Sequence, residues 1–210
     1  MRVHLKTTLF ANVLLILVPV CLWLQAASDL SYYSRQSSPP GQFYYVLSKL
    51  FGLQAMLFLW YQVCYGLIGF HVGKKNLTHF GHKKLGITVA IFMLLHFALF
   101  FVAVWMRKEE FPKGLLIPEF TDYYQVGLAY GQIAFAFLLL TLYSGRRRAS
   151  DGARVWRWLH RLALLVFVLA LIHSYMIGSE TRWFFLPWVY LGMLVSVLVL
   201  LVIRKHKFLQ

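Results

Sequence analysis

Apolar residues do not alternate along this chain, nor do they fall into one-sided helical stripes. They gather into long runs separated by short polar stretches. A run needs about 20 mostly apolar residues to cross a bilayer as a helix. Six runs reach that length: 7–27, 43–70, 82–106, 123–144, 155–177 and 185–203. Pro19 lies inside the first and marks an expected kink. Pro187 falls in the first turn of the sixth, where proline costs little. The pattern predicts an all-α integral membrane protein, a six-helix bundle forming a single domain over residues 1–210.

Composition agrees with the pattern. Of 210 residues, 60% are apolar and 13% charged, about half the charge of an ordinary soluble domain. Aromatics make up 18%. Trp and Tyr lie mostly near the ends of the runs, where interfacial belts form. The short basic start, Met1 to Lys6, resembles a signal peptide, but the apolar run behind it is long and leads to further runs. It reads as a retained first span.

The net charge of +14 would suggest nucleic acid on a soluble protein. Here the loops absorb it. Arg2 and Lys6, then Lys74, Lys75, Lys83 and Lys84, fall on one side. So do Arg146, Arg147, Arg148, Arg154, Arg157 and Arg161, and finally Arg204, Lys205 and Lys207. The opposite side has Arg35, Arg107, Lys108, Lys113 and Arg182, offset by Asp29, Glu109, Glu110, Glu119, Asp122 and Glu180. The positive-inside bias then puts both termini in the cytoplasm. A plasma membrane is the expected location. No soluble domain presents a groove-reading element, so no nucleic-acid partner is expected. The sequon Asn76-Leu77-Thr78 falls on the cytoplasmic side and is discounted.

Cys21 and Cys64 sit inside apolar runs and read as small buried hydrophobes. No C-x-x-C-H, zinc or iron–sulfur spacing occurs. A G-x-G-x-x-G fingerprint is also missing. Any reductant must therefore come from a partner or a lipid-soluble donor.

The chemistry lies in four histidines. His82 and His96 are 14 residues apart in the third run, and His160 and His173 are 13 apart in the fifth. These steps are about 21 and 20 Å along a helix. One span separates the two helices, so they run in the same direction. His82 then lies level with His160 near the cytoplasm, and His96 level with His173 further out. An ionisable residue in a membrane helix is a functional candidate by default. Two imidazoles at each of two levels suit two stacked bis-histidine b haems; a single-haem form stays open. His4, His71, His79 and His206 read as interfacial or loop residues, with His79 the nearest rival to His82.

The 13-residue step raises a difficulty. At 100° per residue, 14 residues return to within about 40° of one face, whereas 13 miss by about 140°. Either the fifth helix contains an irregularity such as a π-bulge, or its two histidines meet their haems at different azimuths. Lys83, Lys84, Arg157 and Arg161 flank the inner level and could pair haem propionates; positive-inside topology accounts for them equally. Lys49, inside the second span, could hold an outer propionate or an anionic acceptor, or could snorkel to the interface. Phe92, Phe97 and Phe167 either fill the space between haems or are plain packing residues.

The segments His82-Lys-Lys-Leu-Gly86 to Leu95-His96 and Trp158-Leu-His160-Arg161 to Ile172-His173 resemble the ferric reductase-like transmembrane domain. This is the six-helix di-haem core of NADPH oxidases and ferric reductases. The resemblance implies electron transfer from the cytoplasmic to the outer face. It assigns His82 and His160 to the inner haem and His96 and His173 to the outer one. Two departures stand out. The family's cytoplasmic flavin and nicotinamide domain is missing, and Phe100 replaces an oxygen-site histidine of the NADPH oxidases. The stand-alone length is closer to the haem-binding subunit of the bacterial methionine sulfoxide reductase system. That likeness implies a cytoplasmic flavin reductase or quinol as donor and an outer-face redox protein or small molecule as acceptor. The chain would then be the relay subunit of an oxidoreductase, with no catalytic residue of its own. Two other readings remain: a haem-free transporter with a histidine proton relay, and a scaffold that docks partners through its basic loops.

Overall fold

The computed structural model describes residues 13, 16–25, 27, 30–35, 37–71, 79–146, 153–179 and 185–208. Everything described is helix, turn or loop, and no strand is present among the described residues. Among the described residues, five helices are long and apolar enough to cross a membrane. They are α1 (Gln42–His71), α2 (His79–Lys108), α3 (Tyr123–Arg146), α4 (Ala153–Ile177) and α5 (Leu186–Phe208). A shorter apolar helix covers Ile16–Gln25 and continues through Pro19. Of the expected first span, residues 13, 16–25 and 27 are described, and the rest lies outside the described residues.

The other five spans agree with the sequence pattern to within a few residues, except at two ends. His79 begins α2, so His82 sits one turn inside the helix and does not open it. At the far end of the chain, α5 extends through Arg204 and Lys205 to Phe208. Cations suit the negative end of a helix dipole, and this last turn carries them. Two 3-10 turns, Leu30–Ser34 and Lys113–Leu115, were not anticipated.

Large apolar side chains stand exposed along the helices, among them Ile87, Ile91 and Leu94, Leu165 and Val168, and Leu198, Val199 and Val202. A water-soluble protein rarely exposes apolar surface on this scale. For helices in hydrocarbon it is the ordinary condition, because the surrounding lipid tails are as apolar as the side chains they meet.

The chain divides into two compact units. Unit one holds residues 1–58 and 91–112, and unit two holds 59–90 and 113–210. In unit one, Trp23, Ala27 and Val46 form a core on which Tyr33, Tyr45, Leu47, Leu50 and Leu53 pack. The Trp23 indole N–H donates to the Val46 carbonyl at 2.6 Å. Gly41, at φ +75°, precedes α1 and lies against Ala103 of α2; a Cβ there would come 2.4 Å from the Ala103 carbonyl oxygen. Glycine alone allows both that backbone conformation and that approach. Phe51 and Phe58 of α1 meet Phe92 at 6.0 and 5.4 Å between ring centres.

In unit two, α3 and α4 form the main helix pair. Gly127 brings them together: a Cβ there would come 2.5 Å from Cγ2 of Ile177. Small residues four apart are the usual means of close helix approach in membranes. Val166 and Phe167 of α4 are fully buried. Further out, the Trp60 indole donates to the Ser196 hydroxyl of α5 at 2.8 Å. Gly86 of α2 makes room for Gln62 of α1, whose Nε2 would lie 2.7 Å from a Cβ at that position.

Candidate functional site

Three of the four histidines belong to unit two and one, His96, to unit one. His82 on α2 and His160 on α4 come together in unit two. Their ring centres are 5.7 Å apart, with the planes at 68°. This is an ordinary edge-on ring contact, and it brings together two side chains that could each serve as a metal ligand. Tyr65 of α1 lies nearly parallel to the His82 ring, 11° between planes at 6.4 Å. Gly66 faces the same ring, and a Cβ there would stand 3.2 Å from Cε1 of His82.

His173, also in unit two, faces α3. Its Nδ1 donates to the Gly127 carbonyl at 2.8 Å. The ring lies on Gly131, where a Cβ would come 2.5 Å from Nδ1. His96 in unit one repeats this arrangement with α1. Its Nδ1 donates to the Ser48 carbonyl at 2.8 Å, and its ring lies on Gly52, where a Cβ would come 3.0 Å from Nδ1. A carbonyl oxygen accepts and never donates, so the proton sits on Nδ1 in both rings. In each neutral imidazole the lone pair is then on Nε2, the state of a metal-ligating histidine whose second nitrogen is anchored.

The 13-residue spacing on α4 is resolved. The described helix, Ala153–Ile177, is α-helical throughout and holds no π turn. His160 faces His82 of α2, and His173 faces α3. The two side chains point to different neighbours, as the 140° offset requires.

The described basic candidates stand exposed or engage aromatic rings. Lys83 is exposed. Arg161 is exposed and stacks on Trp158 of its own helix, 5.1 Å from the ring centre. The Arg157 side chain lies outside the described residues. Lys49 reaches along α1 to Tyr45, its Nζ 4.5 Å from the ring centre, and the Arg107 guanidinium meets the same ring at 5.6 Å. Arg107 also donates to the Gln42 amide oxygen at 2.5 Å. Phe92 engages aromatics of α1, and Phe167 is fully buried.

Ser48, Gly52, Gly66, Gly127 and Gly131 escaped the sequence reading. A signal was present: Ser48-x-x-x-Gly52 and Gly127-x-x-x-Gly131 are small residues four apart inside membrane runs. Such pairs ordinarily indicate helix contact, and nothing in the sequence connects them to a histidine on another helix.

Among the described residues no three or more His, Cys, Asp or Glu side chains converge as a metal cage. A haem brings four ligands of its own and asks the protein only for axial imidazoles. No family model, curated protein or solved structure matches the chain.

Proposed function

We propose that this chain is the membrane relay subunit of an oxidoreductase, carrying electrons across a bilayer between two bis-histidine b haems. The class is a haem-binding membrane bundle, counted as six spans with both termini in the cytoplasm. The particular form resembles the ferric reductase-like domain and, in its stand-alone length, the haem subunit of the methionine sulfoxide reductase system. A bacterial inner membrane is the setting this reading assigns.

The observation that carries the reading is the matched anchoring of His96 and His173. Each imidazole commits Nδ1–H to a backbone carbonyl and leaves Nε2 as the basic nitrogen. Metal-ligating histidines are oriented in this way. A proton relay needs the opposite: both nitrogens must exchange protons, and a peptide carbonyl cannot pass one on. The same bond that supports a ligand role therefore argues against the transporter reading.

On this reading His82 and His160, whose ring centres are 5.7 Å apart, hold the inner haem. The spacing along the two helices assigns His96 and His173 to the outer one. When bound in this way, each haem supplies a one-electron couple at an iron with no open position. The protein's part is to fix the imidazole orientations and to exclude water with an apolar surround. Lys83, Arg157, Arg161 and Lys49 are the cations this reading assigns to propionates or to an anionic acceptor. The donor is a cytoplasmic flavin reductase or a quinol. The acceptor is an outer-face redox protein or small molecule.

The test is the visible spectrum of protein purified from haem-replete cells. A Soret band with split α-bands on reduction is expected. A colourless preparation eliminates the proposal and returns the transporter and scaffold readings to the front.

A further inference from the structure

His96 and His173 lie in different units and face different helices, yet one local geometry holds both. In each case the accepting carbonyl belongs to residue i of a neighbouring helix, Ser48 or Gly127. Each time, residue i+4 on that helix is glycine, Gly52 or Gly131. The carbonyl of residue i already accepts the N–H of residue i+4 within its own helix. A second donor must approach from outside the helix. The Cα–Cβ bond of residue i+4 tilts back toward the helix N-terminus, across that line of approach. Glycine leaves the approach open.

The distances bear this out. A Cβ at Gly131 would stand 2.5, 2.6 and 3.0 Å from Nδ1, Cε1 and Cγ of His173. At Gly52 it would stand 3.0, 3.2 and 3.6 Å from Nδ1, Cε1 and Cγ of His96. Real Cβ atoms essentially never approach a neighbour below 3.0 Å. An alanine at 131 therefore moves the imidazole, while an alanine at 52 crowds it by a few tenths of an ångström.

We propose that Gly52 and Gly131 are positioning residues that set the electronic character of the histidines they admit. Each glycine lets an Nδ1–H reach a backbone carbonyl. That bond raises the basicity of Nε2 and fixes the ring plane. The inference rests on the reading of His96 and His173 as haem ligands. It goes further in assigning the tuning to two glycines on helices that carry no ligand. Enlarging either glycine lengthens the hydrogen bond from Nδ1–H to the carbonyl and so weakens donation from Nε2. Weaker donation favours the ferrous over the ferric state, so the midpoint potential rises.

The experiment is redox titration, with low-spin electron paramagnetic resonance, of the purified holoprotein and of Gly131→Ala, Gly52→Ala and Gly192→Ala. Gly192 is the matched control, because a Cβ there meets nothing within 4 Å. The expected result is a raised potential and altered g values for one haem in Gly131→Ala, a smaller change in Gly52→Ala, and wild-type behaviour in Gly192→Ala. Loss of one haem in Gly131→Ala, with both retained in Gly192→Ala, supports the inference equally. If Gly131→Ala does not assemble, the milder Gly52→Ala decides alone. Unchanged potentials and g values in a folded Gly52→Ala or Gly131→Ala overturn the role of the glycines while leaving the haem reading intact. A wild-type protein without haem removes the underlying reading instead.

Discussion

The imidazole rings of His82 and His160 meet edge-on at 68° with centres 5.7 Å apart, although 78 positions separate them in the chain. Two features of the fold bring them there. His82 sits one turn inside α2, where Gly66 of α1 gives its ring room, and His160 lies early on α4. Removing either imidazole leaves the other without its opposite number. On the proposed reading, each of His82→Ala and His173→Ala is expected to lower iron from two per polypeptide to one, with about half the Soret absorbance remaining. Metal analysis against quantified protein measures this. An unchanged ratio in both variants would refute the ligand assignment.

At Gly127, α3 and α4 approach closely. A Cβ at this position would lie 2.5 Å from Ile177 Cγ2 and 3.2 Å from Met176 Cβ. Ile177 is β-branched and stiff, so the backbones must part to admit even a methyl group. Overpacking of this kind costs about 1–3 kcal/mol. Gly127→Ala should lower the thermal unfolding midpoint in detergent and weaken the carbonyl contact to His173 as a secondary effect. The control is Gly192→Ala in open space, where replacing a helical glycine should be neutral or slightly stabilising.

At the start of α1 the constraint is backbone conformation as well as space. Gly41 has φ +75°, and a Cβ there would sit 2.4 Å from the Ala103 carbonyl oxygen. A left-handed conformation costs a non-glycine residue on the order of 1–3 kcal/mol even without a clash. Gly41→Ala is therefore expected to be the most destabilising glycine-to-alanine change in unit one. Comparison of unfolding midpoints with Gly52→Ala checks the ranking, and equal midpoints would count against it.

How much of this was legible in the sequence depends on the range of the interaction. Five of the expected spans were readable because each is a run of apolar residues, a property of contiguous positions. Their ends were less so: His79 belongs to α2 because a helix can begin before its apolar run does. The histidines stood out because an ionisable side chain in a membrane run has few explanations. The opposite aim of His160 and His173 was open, since periodicity gives an azimuth but not the neighbour found there. The glycine notches were readable only as small residues four apart, with nothing to tie them to a histidine on another helix. Ser48–Gly52 and His96 are a lock and its occupant only when α1 and α2 lie side by side.

Trp60 and Ser196 give a test of packing that does not involve the histidines. The indole N–H donates to the Ser196 hydroxyl at 2.8 Å, and that hydroxyl donates in turn to the Met193 carbonyl at 2.7 Å. Trp60→Phe removes the donor and leaves Ser196 bonded to its own helix, so no buried group is orphaned. The loss should be that of one hydrogen bond, about 0.5–1.5 kcal/mol, plus the smaller ring's lost contacts. Ser196→Ala, by contrast, strands the indole N–H. Where water cannot reach it, the cost rises to about 1–3 kcal/mol. Unfolding midpoints should therefore fall further in Ser196→Ala than the loss of a single oxygen atom suggests. Both variants should keep the wild-type visible spectrum, because neither side chain anchors a histidine. A spectral change equal to that of His82→Ala would mean that the contact between α1 and α5 supports the site after all.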